Sequence, residues 1–400
     1  MPPSPRHSTS TAKPAKIKIK ALRPASRTLA TPSVNLLSLL SAGAPPVKIP
    51  ARPLIGVIEG TGIGSQVIAG ALRVLAAVEQ VSGRKFELRH GGLVGEAAEK
   101  KFGVSLPVST EKFFREIFAD GGAVLNGPGG GRFVYDLRRR LDLFCKFAPV
   151  RPWRQISNRT FDRVDLLMVR DNVGGVYQGA EKIRQTRAGK VVEHRFTYTE
   201  AQVRRLAEVA ARAAAARRGK MHVIIKDGGI PAMSELWREV SVAVAKAHGV
   251  SAAFMNVDLA AYELIRLPEQ FDVMLTPNLF GDILVDITGA LLGSRGVTFS
   301  GNFDGAGHGV YQTNHGCAHD LAGADVANPA GQILSLAMLL RESFGLAAEA
   351  ALMESALASL WSQGCRTADV AERGQRVVGT QKFCQRVSEE ILNRAEKRSR

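Results

Sequence analysis

From Arg52 onward the chain alternates short apolar β-type runs with Ala-rich amphipathic stretches, and this repeated change of period restricts its fold more than any other feature. Helices laid over a sheet of parallel strands produce that order, so the class is α/β: a large mixed, mostly parallel sheet flanked by helices. The first unit is the clearest. Pro53–Ile58 reads as a strand that ends in Gly60-Thr61-Gly62-Ile63-Gly64 and passes into a helix through Gln80. The pattern predicts further strands at Phe86–His90, Gly122–Leu125, Leu143–Phe147, Val164–Val169, Met221–Lys226, Ala252–Val257 and Phe271–Leu275. Helices are predicted between them, notably over Thr199–Arg217, Pro231–His248 and Leu279–Leu292, then over Asn328–Phe344, Leu346–Trp361 and Gln381–Arg394. A chain of 400 residues with 45% apolar composition can bury one large or two medium cores.

Charge is unevenly placed. The formal net charge is +16, yet residues 1–58 hold nine Lys or Arg and no Asp or Glu, so over half of the excess sits in a leader. The surplus left on the remainder suits a protein that handles di- or tricarboxylate anions, whose local concentration such a field raises, and does not call for nucleic acid. Residues 1–51, rich in Ser, Pro, Ala and Lys, read as a disordered tail or as a mitochondrial-type transit peptide. Three prolines in the first five residues argue against a clean amphipathic targeting helix, and the apolar run Val34–Leu40 is too short to cross a bilayer. Four scattered cysteines without a C-x-x-C pair suggest neither a disulfide framework nor a thiolate zinc site. The expectation is a soluble, cytoplasmic protein with no membrane partner, or a mitochondrial matrix protein if the leader is a transit peptide.

Several groups carry chemistry. Gly60–Gly64 has the spacing G-x-G-x-G, not the dinucleotide fingerprint, and its acidic partner some twenty residues on is only Glu79; a tight strand-to-helix turn explains it as well. Asp282 and Asp286 stand at i and i+4 in a stretch otherwise dominated by apolar residues, which puts both carboxylates on one helix face. Like charges there ask for neutralisation, and a hard divalent cation, Mg²⁺ or Mn²⁺, supplies it through oxygen ligands. An exposed first turn whose acids favour the helix dipole remains the other reading. Asp258, directly after the run Ala252–Val257, is a third candidate carboxylate or a helix N-cap. Arg138 belongs to an Arg138-Arg139-Arg140 run, of which surface solvation claims two, and Arg170 ends an apolar strand; both types bind carboxylates by a fork. Lys226 closes the strand Met221–Ile225, and Tyr177 stands in a Gly174-Gly175-Val176-Tyr177 turn, where each can move a proton.

Taken in order, Val169-Arg170-Asp171-Asn172-Val173-Gly174-Gly175-Val176-Tyr177, the stretch Asn278–Asp286, and His315-Gly316-Cys317-Ala318-His319-Asp320-Leu321-Ala322-Gly323 with Ala327-Asn328-Pro329 resemble the β-decarboxylating dehydrogenases that include the isopropylmalate and isocitrate dehydrogenases. The resemblance runs from about Leu54 to the C-terminus. It implies two domains with the cleft between them: residues 52–143 plus 294–400 as the large cofactor-binding domain, and residues 144–293 as the smaller substrate, metal and dimerisation domain. It further implies that Arg138 and Arg170 hold substrate carboxylates, that Asp258, Asp282 and Asp286 bind Mg²⁺ or Mn²⁺, and that Lys226 and Tyr177 are the catalytic proton carriers. His315, Gly316, Asp320 and Asn328 would line the cofactor site. An aspartate at position 320 suits the ribose hydroxyls of NAD and repels a 2′-phosphate. The active sites would be shared across a homodimer, with Lys226 and Asp258 supplied by the partner.

The departures bear on substrate. A second substrate arginine, usual in the segment reading Phe144-Cys145-Lys146-Phe147-Ala148-Pro149, is here Ala148, with Lys146 or Arg151 as the candidate replacements. Gly228 and Gly229 follow the catalytic lysine where relatives carry Asn-Val, and Gln312 replaces the usual Glu of the cofactor loop. The segment Gly131-Arg132-Phe133-Val134-Tyr135-Asp136 fits neither the isocitrate nor the isopropylmalate pattern, while the Gly174-Gly175 turn favours the isopropylmalate branch. The expected activity is oxidative decarboxylation of a 3-isopropylmalate-like acid with NAD; isocitrate, homoisocitrate or tartrate-type substrates, or a non-catalytic regulatory role, are the alternatives.

Overall fold

In the computed structural model, which describes residues 34–41, 49–157 and 161–399, the strands longer than two residues are β1 (Leu54–Ile58), β2 (Glu87–His90), β3 (Ala123–Asn126), β4 (Cys145–Val150), β5 (Leu166–Asp171), β6 (Ala180–Thr186), β7 (Gly189–Arg195), β8 (Lys220–Ile225), β9 (Ser251–Asn256), β10 (Val273–Thr276), β11 (Phe299–Phe303) and β12 (Gly309–Thr313). Ten of them form one sheet in the order β2-β1-β3-β12-β11-β4-β5-β10-β8-β9. Strands β2, β1, β3 and β12 are mutually parallel, as are β5, β10, β8 and β9. These two parallel blocks run in opposite directions and join through the antiparallel seam β12-β11-β4-β5. The large mixed, mostly parallel sheet expected from the sequence is the one observed.

The predicted βα units form because each strand supplies a fully buried apolar run and each crossover a helix with a matching stripe. Helix Glu200–Ala215 shows the logic. Thr199 accepts from the amide of Gln202 in a capping box, and Val203, Leu206, Ala207, Ala210 and Ala214 then face the core at helical spacing. Helix Ala330–Phe344 is buried almost all round, as its run of Ile, Leu and Ala requires.

Three departures matter. Strands β11 and β12 and the hairpin β6–β7 were not among the predicted strands; the first two carry Ser300, Gly301, Asn302 and Gln312 at buried places, which breaks the apolar signature. Asp258 lies beyond the carboxyl end of β9, in the first turn of a helix, Val257–Arg266, whose N-cap is Asn256, so it is not the N-cap. Finally, part of the leader is folded. Asn35 caps a single 3-10 turn, Leu36–Leu39, and its amide donates to the Glu342 carbonyl at 3.0 Å. The Leu36 amide donates to the Glu342 carboxylate at 2.5 Å, Arg212 donates to the Leu39 carbonyl at 2.7 Å, and Leu39 and Leu40 join the core. Over residues 34–41 the leader is therefore a docked segment and not a tail; residues 1–33 and 42–48 lie outside the described residues. Among the described residues no helix is long and apolar enough to cross a membrane.

Candidate active site

Side chains alternate along a strand, so Leu166, Met168 and Arg170 of β5 share one face, and the antiparallel register sets Lys146 of β4 opposite Arg170 and Ala148 opposite Met168. Arg170 is only 1% exposed. Its guanidinium donates to Asp282 at 2.6 Å and to the Asn278 side chain at 2.8 Å. Asn278 opens the helix Asn278–Leu292 that carries both Asp282 and Asp286, and its own side chain donates to the Gly174 carbonyl at 2.9 Å. The tip of β5, the following turn and the start of this helix are thereby tied together.

Tyr177, in that turn, donates to the second oxygen of Asp282 at 2.7 Å. Burial and the Asp282 carboxylate push the Tyr177 phenol well above its ordinary range, which keeps its proton in place at neutral pH. Burial alone would raise the Asp282 carboxyl; the Arg170 guanidinium, the Tyr177 hydroxyl and the nearby Lys146 and Arg138 outweigh it and hold it below the usual carboxylate range. The ring of Tyr135 lies 4.9 Å from that of Tyr177 and lines the same cleft.

Arg138 closes the other side. It sits on the inner face of helix Phe133–Arg140 and is buried, whereas Arg139 and Arg140 project outward toward Asp136 and Glu111. Burial and the neighbouring Arg170 push its guanidinium down to about 9, which still leaves it charged at neutral pH. Its Nε has no hydrogen-bond partner, and neither does that of Arg170. Lys146 is likewise buried, and burial together with Arg170 and Arg138 pulls its ammonium well below the ordinary lysine range.

The three aspartates do not converge within one chain. Asp286 is engaged by Arg295 at 3.2 and 2.9 Å, while Asp258 pairs with Lys226 at 2.8 Å at the end of β8, and no trio of His, Cys, Asp or Glu is close enough to hold a metal among the described residues. The Lys226–Asp258 pair is also open: the Asp258 side chain is 67% exposed. Asp227 points away from it and is clamped by Arg238 with two contacts of 2.8 Å. Exposed apolar residues crowd this side, including Ile230, Leu259, Tyr262, Ile265 and Ile283.

The glycine turn lies beside the cofactor candidates. Gly60 and Gly62 take positive φ of 80° and 61°, and a Cβ on either would stand 2.1 Å from the carbonyl oxygen of Pro128 or Cys317. Thr61 bonds the Gly129 carbonyl at 2.9 Å, and Ile63 donates to the Cys317 carbonyl at 2.9 Å, which fixes this turn against the 315–323 loop. Within that loop Gly316 and Asp320 are exposed and Asp320 has no ion pair among the described residues, while His319 meets Glu96 at 2.8 Å. Burial pushes the His315 ring below its ordinary value, although its Nδ1 lies 3.0 Å from the Gly316 carbonyl, which acts in the opposite sense. Asn328 has structural bonds of its own: it accepts from the Ala330 amide at 3.0 Å and donates to Asp369 at 3.0 Å. Glu79 accepts from the Phe86 amide at 2.9 Å, a turn contact that removes it as the acidic partner of the glycine turn. Sequence reasoning missed Asn278, Tyr198 and Arg295; Tyr198 accepts from the Asn278 amide at 3.0 Å and donates to Asp171 at 3.1 Å, and only its aromatic character in a polar segment hinted at that role.

An α/β sheet of two parallel blocks that carries buried arginines around an aspartate–tyrosine contact is the framework of an enzyme for anionic substrates. Comparison gives the family. The model for isocitrate/isopropylmalate dehydrogenases matches residues 54–387. The 3-isopropylmalate dehydrogenase of Geobacillus kaustophilus strain HTA426 is 37% identical over 361 residues, covering 85% of this chain and 95% of its own. That of Desulfitobacterium hafniense strain Y51 is 38% identical over 349 residues, 82% of this chain and 97% of its own. The crystal structure of isocitrate dehydrogenase from Methylococcus capsulatus superposes with a TM-score of 0.77 at 29% identity, over 85% of this chain and 99% of that one. The chain belongs to the isocitrate/isopropylmalate dehydrogenase family.

Proposed function

We propose that this protein is an NAD-dependent dehydrogenase that oxidises and decarboxylates a malate-type 2-hydroxy acid, nearer to 3-isopropylmalate than to isocitrate. The observation that carries the reading is the pair of buried arginines, Arg138 and Arg170, set beside the Asp282–Tyr177 contact in a chain of this family. Arg138 and Arg170 fix the substrate's carboxylates, which orients the carbon that loses hydride. Asp282, Asp286 and a partner's Asp258 offer the hard oxygen donors that suit Mg²⁺ or Mn²⁺, and the exposed position of Asp258 leaves it free to reach a second copy. Such a cation, when bound, acidifies the hydroxyl and stabilises the enolate charge that forms as CO₂ leaves. Lys226 accepts the hydroxyl proton, and Tyr177, which keeps its own proton, delivers one to the enol carbon.

His315, Gly316, Asp320 and Asn328, on the loop packed against the Gly60–Gly64 turn and just after it, would receive NAD, which takes the hydride. The cleft lies between a domain of residues 52–143 plus 294–400 and one of residues 144–293, and two subunits share each site. Free buried cysteines and bacterial relatives support a cytoplasmic location.

The test is a panel of 2-hydroxy acids assayed with NAD, NADP and Mn²⁺, with and without EDTA. Alkyl-substituted malates should lead, EDTA should abolish turnover, and NAD should exceed NADP by about two orders of magnitude in kcat/KM because Asp320 repels the 2′-phosphate. Parity of the two cofactors, or isocitrate turnover near 10⁵ M⁻¹s⁻¹, roughly the ordinary value for an enzyme's own substrate, would overturn it.

A further inference from the structure

Three buried cations, Lys146 and Arg170 on the sheet seam and Arg138 on the helix beside it, stand close together, and only one of them has a counterion. Arg170 pairs with Asp282, but the Arg138 guanidinium and the Lys146 ammonium make no hydrogen bond or ion pair among the described residues. Asp286, the other carboxylate nearby, is engaged by Arg295. Lys146 stands directly opposite Arg170 in the β4–β5 ladder and opposite Asn302 in the β4–β11 ladder. Like charges placed opposite each other on antiparallel strands destabilise the pair, and an unpartnered buried charge costs more still. A fold keeps such an arrangement where a bound anion completes it.

Resting on the function proposed above, we infer that Lys146 is a substrate-binding residue that takes one carboxylate of a malate-type dianion in place of the arginine absent at Ala148. In that reading Lys146 joins Arg138 and Arg170 in a basic cluster that meets the carboxylate on the substrate's third carbon. Alternation along β4 puts Lys146 and Ala148 on the same face, so the charge has moved one row along the strand, about 6.8 Å, to stand level with Arg170. Arg151, the other candidate, is excluded by its surroundings: its side chain is 60% exposed and already paired with Asp165 at 2.8 Å. An ammonium is a point charge without the guanidinium fork, so this position reads the charge of the substrate more than the orientation of its carboxylate.

The test is equilibrium binding to the full-length protein in Mn²⁺, with no cofactor and therefore no turnover. Two probes are compared: 3-isopropylmalate, and 2-hydroxy-4-methylpentanoate, which keeps the alkyl group and the hydroxy acid but lacks the second carboxylate. Wild type should bind the dianion more tightly. Lys146→Met should weaken dianion binding by about ten- to a hundredfold while leaving the monoanion unchanged. A double variant, Lys146→Asn with Ala148→Arg, should recover the preference and guards against misfolding of the single one. If Lys146→Met is folded and keeps the wild-type ratio of the two affinities, the inference is wrong while the function stands. If wild type binds neither probe, the function and the inference fall together.

Discussion

Asp282 takes two strong hydrogen bonds at once, from Arg170 at 2.6 Å and from Tyr177 at 2.7 Å, and both donors are themselves expected to act on the substrate. Its carboxylate is thus a hub. Replacing it by asparagine keeps the size but removes the charge that pairs Arg170 and leaves one acceptor oxygen where Arg170 and Tyr177 each need one. Asp282→Asn should therefore cost about three orders of magnitude in kcat, with an unchanged circular-dichroism spectrum, and its residual rate should no longer respond to Mn²⁺. A variant that remains fully Mn²⁺-dependent would show that Asp282 only positions its neighbours. Lys226→Met should leave folding intact, since the Lys226–Asp258 pair is open to solvent, and should lower kcat by a similar factor. These positions were legible in the sequence because Arg170 and Lys226 stand at the ends of apolar strands and Asp282 lies in an otherwise apolar helix. Lys146 was not legible as a site residue by itself. A lone lysine within an apolar run gives no sign of whether it snorkels outward or faces a second cation, and only the register with β5 decides.

Among the elements, the docked segment of residues 34–41 depends on one buried carboxyl. Burial pushes the Glu342 carboxyl up to about 7 from an ordinary 4.5, although the Leu36 amide that donates to it acts in the opposite sense. Because the folded value lies above the unfolded one, the stability Glu342 contributes is fully present below pH 4.5 and is lost as pH rises through 7. Glu342→Gln should flatten the Tm profile between about pH 4.5 and 7, removing a stability change on the order of 3 kcal/mol across that window. An identical profile for wild type and variant would show that Glu342 does not titrate there. The regular βα units could be read from the chain because each needs a contiguous apolar strand and a striped helix. The seam could not, since β11 and β12 satisfy buried polar groups internally: Asn302 donates to the Val310 carbonyl at 3.0 Å and Asn172 to Asn302 at 3.0 Å. The hairpin β6–β7 escaped for another reason. Nearly all its residues are exposed, so the folded chain alone imposes no apolar alternation on it.

At the scale of the whole molecule, that hairpin and the divided aspartates point the same way. A two-stranded hairpin is marginal in water by itself, yet this one pairs Ile183, 65% exposed, across from Val192, 60% exposed, a surface that a second copy would cover. Within one chain Asp258 pairs with Lys226 and Asp282 with Tyr177 and Arg170, and no hydrogen bond or ion pair joins the two groups among the described residues. In a symmetric dimer each half would complete the other, with Lys226 and Asp258 of one copy facing Asp282, Asp286, Arg138, Arg170 and Tyr177 of its partner. Ile183→Lys with Val192→Lys should then yield an inactive monomer in analytical ultracentrifugation, whereas a dimer of full activity would remove the hairpin from the interface. The sharper experiment mixes two dead variants. Lys226→Met retains a good Asp282 half, and Asp282→Asn retains a good Lys226 half. A mixed dimer has one site built from both intact halves and one from both damaged halves. Random reassociation of equal amounts makes about half of the dimers mixed, so activity should return to about a quarter of wild type although neither variant is active alone. Were each site contained within one subunit, every site in the mixture would carry a defect, and the mixture would stay as inactive as its components.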